Sequence, residues 1–225
     1  MEVSLFKYKI IVAYDGTQYA GWQEQHTQPT VCGQLKKSFY EAFGLVPSIV
    51  GASRTDAGVH AQGQVALVRA AIFIDPAILK RAWNNVLPAD IHIHQAQQAE
   101  PNFYPFHDVV QKTYYYHIFM HRPMPFVARY GWLYRDRSTL DIEKFRMALA
   151  LFEGTHDFRA FSTGPYLPEQ TVRTVDSIRL EFNYEYGAWR VVVRGKSFLR
   201  HMIRRIIGAA LYVAAKKDCS VDYIT

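Results

Sequence analysis

Only two cysteines occur in 225 residues, Cys32 and Cys219, and they form no CxxC pair. Such sparse usage excludes a disulfide framework and fits a reducing compartment. Nine histidines are present, yet none forms HExxH. His92 and His94 alternate onto one strand face with nothing nearby to complete a ligand set, so no metal site is expected. No apolar run approaches the roughly 18 residues that a membrane span needs. The opening MEVSLFKYKI shows no basic segment followed by an apolar one, so the cytoplasm is the expected location. GxxxxGK(S/T), GxGxxG and GxSxG are all missing. Nucleotide hydrolysis, dinucleotide redox chemistry and α/β-hydrolase chemistry therefore lose their main support.

What is present is a globular composition. Hydrophobic residues make up 49% and aromatic residues 15%, enough for a real core, with 15 tyrosines and 14 phenylalanines. Aromatic faces suit cores and base stacking alike. The net charge of +6 is unevenly placed. Residues 1–105 hold 8 Lys+Arg against 8 Asp+Glu, and residues 106–225 hold 18 against 12, so the whole excess lies in the second half. A solvated, mildly basic surface and a polyanion site explain such an excess about equally well.

The residue patterns alternate between strand and helix. FKYKIIVAYDG (6–16) reads as a strand entering a turn, and TVCGQLKKSFYEAF (30–43) as a helix with Leu35, Phe39 and Phe43 in register. GQVALVRAAIF (63–73) is a second strand. Asp75-Pro76 opens a helix through AILKRAWNNVL, and DIHIHQA returns as a short strand. In the second half, QKTYYYHIFM (111–120) is a strand, and Ser138-Thr139 is expected to cap a helix running to Gly154. TVRTVDSIRLEF and AWRVVVRG read as two strands joined by the 183–187 turn, followed by one long helix over 197–217. This order predicts an α+β protein of two halves, 1–105 and 106–225, each a largely antiparallel sheet backed by helices.

Three stretches hold candidate chemistry. SRTDAGVHA (53–61) sets Asp56 between Arg54-Thr55 and the small pair Ala57-Gly58. An aspartate there is ordinarily a turn residue bonding nearby N–H groups. It also suits a nucleophile or base that must meet a ligand closely, with Arg54 or the 200–205 arginines as the adjacent cation. In the last helix Leu199, Met202, Ile203, Ile206, Ile207, Ala210 and Leu211 form a core stripe. Lys196, Arg200 and Arg204 follow at i, i+4 and i+8 along one edge, flanked by His201 and Arg205. Like charges so spaced repel unless an anion sits among them, which leaves a solvated face, phosphates or a carboxylate as readings. On the strand 112–120, Lys112, Tyr114 and Tyr116 share one face, where a ring is either core or a stacking surface for a base.

These stretches carry a family resemblance. SRTDAGVHA resembles the signature G-R-T-D-x-G-V-H-A of the tRNA pseudouridine synthases that modify uridines 38–40 of the anticodon stem-loop. YDGTQYAGWQEQ (14–25), TVCGQL, LPADI (87–91), KTYYY (112–116), GTHDFRAF (154–161) and FLRHMIRRIIG (198–208) follow in the order of that family's motifs. The resemblance spans roughly residues 8–215. It implies the pseudouridine-synthase fold, with Asp56 as the catalytic aspartate. It implies too that Tyr114 stacks on the target uracil, that Arg204 pairs with the aspartate, and that Arg54 helps to hold the flipped-out nucleotide.

The implied reaction is isomerisation. The aspartate attacks the uridine at C1′ or at the ring, the N-glycosidic bond breaks, the uracil rotates, and C5 rejoins C1′. No cofactor and no metal are expected. The expected partner is the tRNA anticodon stem-loop, with Lys112, Arg200 and Arg205 as further tRNA contacts, and the expected assembly is a homodimer. The target base must leave its stack, at a cost of a few kcal/mol. Two departures from the family pattern stand out. Phe106, in FYPFH (103–107), occupies the place of an RNA-contacting arginine. The family pattern also continues past DCSVDYIT with a strand-forming segment that is expected to supply a hydrophobic wall of the pocket.

Overall fold

The computed structural model describes residues 5–135, 140–163 and 171–224. Contacts along the chain divide it into two compact units, Met1–Val109 and Val110–Thr225. Each is a mixed α+β unit whose sheet is mainly antiparallel.

The first unit contains β1 (Phe6–Tyr14), α1 (Val31–Phe43), β2 (Ser48–Gly51), β3 (Ala61–Ala70), α2 (Pro76–Val86) and β4 (Ile91–Gln98). The strands form one antiparallel sheet in the order β2-β3-β1-β4. Strand β2 is too short and too mixed in its residues for the sequence pattern to separate it from a loop. Period two turns Tyr8, Ile10 and Val12 of β1 to one face, where they are buried with Val68 and Ile93. Helices α1 and α2 cover that face. Thr30 caps α1 by accepting from Gly33 N–H, and Gly44 ends it in a left-handed conformation. Asp75 caps α2, with Pro76 in the first turn. Trp83 Nε1 donates to Leu35 O at 3.2 Å and joins the two helices. Asn84 bonds both backbone groups of Ile93 at 2.9 Å, fixing α2 to β4.

The second unit contains β5 (Lys112–Phe119), β6 (Trp132–Leu133), α3 (Ile142–Ala150), β7 (Gly154–Asp157), β8 (Val172–Val175), β9 (Ser177–Asn183), β10 (Ala188–Gly195) and α4 (Met202–Ala215). One sheet runs β6-β5-β10-β9, in which β6 joins β5 in parallel and the other pairings are antiparallel; β7 and β8 pair separately. The inward face buries Ile118, Ile178, Leu180, Val191 and Val193 against α3 and α4.

Here the sequence pattern and the fold part in three places. The run 171–182 is two strands, because Asp176 leaves the ladder and donates its N–H to Arg194 O at 2.8 Å. Helix α3 is capped by Asp141, which accepts from Lys144 N–H, and ends four residues before Gly154; the expected cap Ser138-Thr139 lies outside the described residues. The last helix begins at Met202, not at 197. His201 stands before it at φ 61°, a left-handed conformation that an α-helix cannot contain. The apolar stripe from Leu199 to Leu211 is nevertheless turned to the core, with only Ile203 of its residues partly buried.

Candidate active site

Asp56 sits in the loop between β2 and β3, and the chain fixes that loop at both ends. Ala52 N–H donates to Val65 O at 2.8 Å. The buried Gln64 side chain accepts from Ser53 N–H at 3.2 Å and donates to Ser53 O at 2.6 Å. The middle is held by the segment that follows β1. Trp22 N–H donates to Thr55 O, and Gly58 N–H donates to Tyr19 O, each at 3.1 Å. Tyr14 Oη and Thr55 Oγ1 are hydrogen-bonded at 2.8 Å. Val59 N–H donates to Asp56 O at 3.2 Å and closes the turn, which Gly58 enters at φ 76°.

That close approach explains the glycines of the facing segment. A Cβ on Gly21, already at φ 101°, would lie 2.5 Å from Thr55 O. One on Gly16 would lie 2.0 Å from Val59 O. At the far end His60 Nδ1 lies 3.0 Å from both Gly16 N and Asp15 Oδ1. With Nδ1 bare it accepts the Gly16 N–H; with the ring hydrogen on Nδ1 it donates to Asp15. Either way it ties the loop to the turn after β1. In the sequence Tyr14 and His60 are only letters within motifs, because Thr55 lies 41 residues from Tyr14 and Gly16 lies 44 residues from His60.

Asp56 is half-buried and Arg54 exposed, so the carboxylate stands on a rigid turn with its neighbouring guanidinium facing solvent. The Arg54 guanidinium lies 5.9 Å from the Phe106 ring centroid, within cation–π range. Phe106, in the place of the expected arginine, is therefore a neighbour of Arg54.

In the second unit Tyr114 lies on β5 opposite Val193 of β10, its ring edge-on to Phe198 at 5.3 Å. Phe198 in turn packs against Gly195, where a Cβ would lie 2.9 Å from its ring. Lys112, two residues back on the same face, is half-buried, and loss of hydration lowers its pKa. Tyr116, two residues on, has its hydroxyl pKa raised by burial and lowered in part by Arg204. Tyr116 and Arg204 line a groove of about 410 Å³ together with Trp132, Tyr134, Leu211 and Tyr212. An aromatic wall with an exposed guanidinium suits a flat, electron-rich ligand.

The cationic edge expected over 196–205 is not continuous. Lys196 and Arg200 precede α4, and only Arg204 and Arg205 stand on its first turn. Arg200 is exposed, while its carbonyl accepts from Thr163 N–H at 3.3 Å. Arg205 donates one guanidinium N–H to Ala160 O at 2.8 Å. His201 Nδ1 is hydrogen-bonded to Thr163 Oγ1. The residue pattern holds no warning of this break, since a histidine in the left-handed region has no signature of its own. Among the described residues, no group of three or more His, Cys, Asp or Glu is placed to hold a metal ion, and no helix is long and apolar enough to cross a membrane.

The first unit thus presents a carboxylate on a clamped turn. The second presents a tyrosine strand and an arginine-lined groove, and each feature by itself is suited to meeting a nucleotide. The chain matches the tRNA pseudouridine synthase family over residues 10–105 and 148–224. It is 35% identical over 208 residues to tRNA pseudouridine synthase A of Pseudothermotoga lettingae, an alignment covering 92% of this chain and 84% of that protein. It is 35% identical over 222 residues to tRNA pseudouridine synthase A 1 of Protochlamydia amoebophila, covering 93% and 82%. To tRNA pseudouridine synthase A of Thermosipho melanesiensis it is 37% identical over 208 residues, covering 92% and 84%. With its Asp56 loop inside the family match and more than nine-tenths of its length aligned to these relatives, the chain belongs to the tRNA pseudouridine synthase family.

Proposed function

We propose that this chain converts uridine to pseudouridine at positions 38, 39 and 40 of the tRNA anticodon stem-loop, with Asp56 as the nucleophile. The observation that carries the assignment of Asp56 is its loop. Three backbone bonds and the Tyr14–Thr55 hydroxyl pair hold the turn, so the carboxylate is presented with little freedom to lose on binding. The reaction is an isomerisation and balances without a co-reactant. The N1–C1′ bond breaks, the C5–C1′ bond forms, the C5 proton is released, and N1 takes up a proton. Asp56 carries the intermediate and leaves unchanged.

Arg54, Tyr114 and Arg204 bind the target nucleotide, Tyr114 by stacking on the uracil. Lys112, Arg200 and Arg205 meet phosphates of the tRNA. The half 1–105 supplies the aspartate loop, and the half 106–225 supplies the tyrosine strand and the basic helix end. The working form is a cytoplasmic homodimer. The test is tritium release from unmodified tRNA labelled at uracil C5, with this chain beside Asp56→Ala. Release by the wild-type chain and none by the variant, with tRNA still bound, is the expected outcome. Equal release by both removes Asp56 from the chemistry.

A further inference from the structure

Residues 99–108 form a cap that leaves the Phe106 ring exposed beside the Asp56 loop. Ala99 N–H donates to Lys7 O at 2.9 Å, and Lys7 Nζ donates to Pro101 O. The Lys9 ammonium lies 5.3 Å from the Phe103 ring centroid. Within the cap, Asp108 Oδ2 accepts from Tyr104 N–H at 2.7 Å, and Tyr104 O accepts from both His107 N–H and Asp108 N–H at 3.0 Å. Tyr104 then packs on His107 at 5.2 Å and on Phe106 at 6.0 Å. Phe106 stays 39% exposed and lies outside the core of its unit. A phenylalanine on a cap tied down at this many points is held in place without being sheltered.

Resting on the reading of Asp56 as the catalytic group, we infer that Phe106 and the Arg54 guanidinium form a stacking ledge for an RNA base that neighbours the reacting uridine. Arg54 is two residues from Asp56, and its guanidinium carbon lies 5.9 Å from the Phe106 ring centroid. A guanidinium oriented by a ring keeps its in-plane N–H donors for a phosphate or a base edge. The remaining ring surface offers a π-face that any base can cover. The ledge therefore recognises an unpaired base by its flat face and not by its sequence. Its contribution is stacking, which salt leaves largely untouched, where phosphate contacts weaken steeply.

The test uses anticodon stem-loop RNAs in which each loop nucleotide in turn is replaced by an abasic residue. Their binding to the wild-type chain, Phe106→Ala, Phe106→Leu and Phe106→Trp is followed by fluorescence anisotropy, with pseudouridine formation measured on the unsubstituted RNA. At one loop position the abasic residue should weaken wild-type binding about fivefold, the lower end for base–aromatic stacking. The same replacement should leave Phe106→Ala unaffected. Phe106→Trp should keep the wild-type response, and Phe106→Leu, which keeps apolar bulk without a π-face, should lose it. Abasic effects that are the same in wild type and Phe106→Ala at every position overturn the ledge, as does wild-type behaviour of Phe106→Leu. A wild-type chain that binds the RNA but forms no pseudouridine overturns the proposed reaction instead, so the two failures are distinguishable.

Discussion

Gly21→Ala tests whether the Asp56 loop is held by backbone contact with the segment after β1. Gly21 adopts φ 101°, which L side chains rarely reach, and its Cβ would lie 2.5 Å from Thr55 O and 3.1 Å from Asp56 C. The backbone strain costs about 1–3 kcal/mol. The contact is about 1 Å shorter than an ordinary non-bonded separation. Relieving it moves Thr55 and Asp56 and breaks the Trp22 N–H to Thr55 O bond, for about 1 kcal/mol more. A total of about 2–4 kcal/mol lowers the melting temperature by roughly 4–16 °C in a chain of this length.

The same movement displaces the carboxylate, and a misplacement of about 1 Å costs on the order of a hundredfold in rate. Gly44→Ala is the control. Gly44 has φ 73° but nothing within 4 Å of an added methyl, so alanine there meets only left-handed strain of about 1–2 kcal/mol. The readouts are tritium release at saturating tRNA and thermal unfolding by circular dichroism. Gly21→Ala should lose kcat by on the order of a hundredfold with KM little changed, and Gly44→Ala should keep kcat. A Gly21→Ala enzyme that melts lower yet turns over like wild type would refute the coupling between this glycine and the carboxylate.

The other site residues separate by the quantity each should move. Tyr114→Phe should keep most of the rate and Tyr114→Ala should lose it, by about 1–3 kcal/mol if stacking is the task; equal losses in initial-rate assays point to the hydroxyl. Arg200→Gln should lower the slope of log K against log salt by about 0.7–0.9 in a tRNA-binding titration, and an unchanged slope places Arg200 off the phosphates. His117, whose Nδ1 donates to Tyr130 O, has its pKa pushed below 6.5 chiefly by burial, and its Nε2 is buried without a hydrogen-bond partner among the described residues. The neutral form is thus the folded form, so its contribution is full above pH 6.5 and is lost as pH falls through the lowered folded pKa. Stability curves should show the wild type losing ground to His117→Phe over that acid range; parallel curves refute the assignment.

Local signals carry most of the elements. Thr30 and Asp75 are caps that the chain places where their residue types predict, and the alternating strands 6–14, 61–70 and 112–119 need only period two. Three of the misses share a cause. Strand β2, the Asp176 break and the late start of α4 are each decided by a partner far along the chain: Arg69 and Leu67 for β2, Arg194 O for Asp176, Thr163 for the His201 region. No periodicity within a short window contains that information.

The same division runs through the site. The phrase around Asp56 is local: a carboxylate followed by the small pair Ala57-Gly58, which alone reads as a turn and points to chemistry only through the family resemblance of the whole run. What makes the carboxylate usable is not local, since the loop is held by Tyr19, Trp22 and Tyr14, and glycines at 16 and 21 matter only because another backbone passes against them. The basic run 196–205 misleads in the opposite direction. Its spacing is regular, but regular spacing becomes one edge only inside a helix, and His201 at φ 61° stops the helix from reaching Arg200. Arg200 and Arg204 then stand on opposite sides of the helix start. A contact made by one is therefore not implied by the regular spacing that links it to the other, and each needs its own variant.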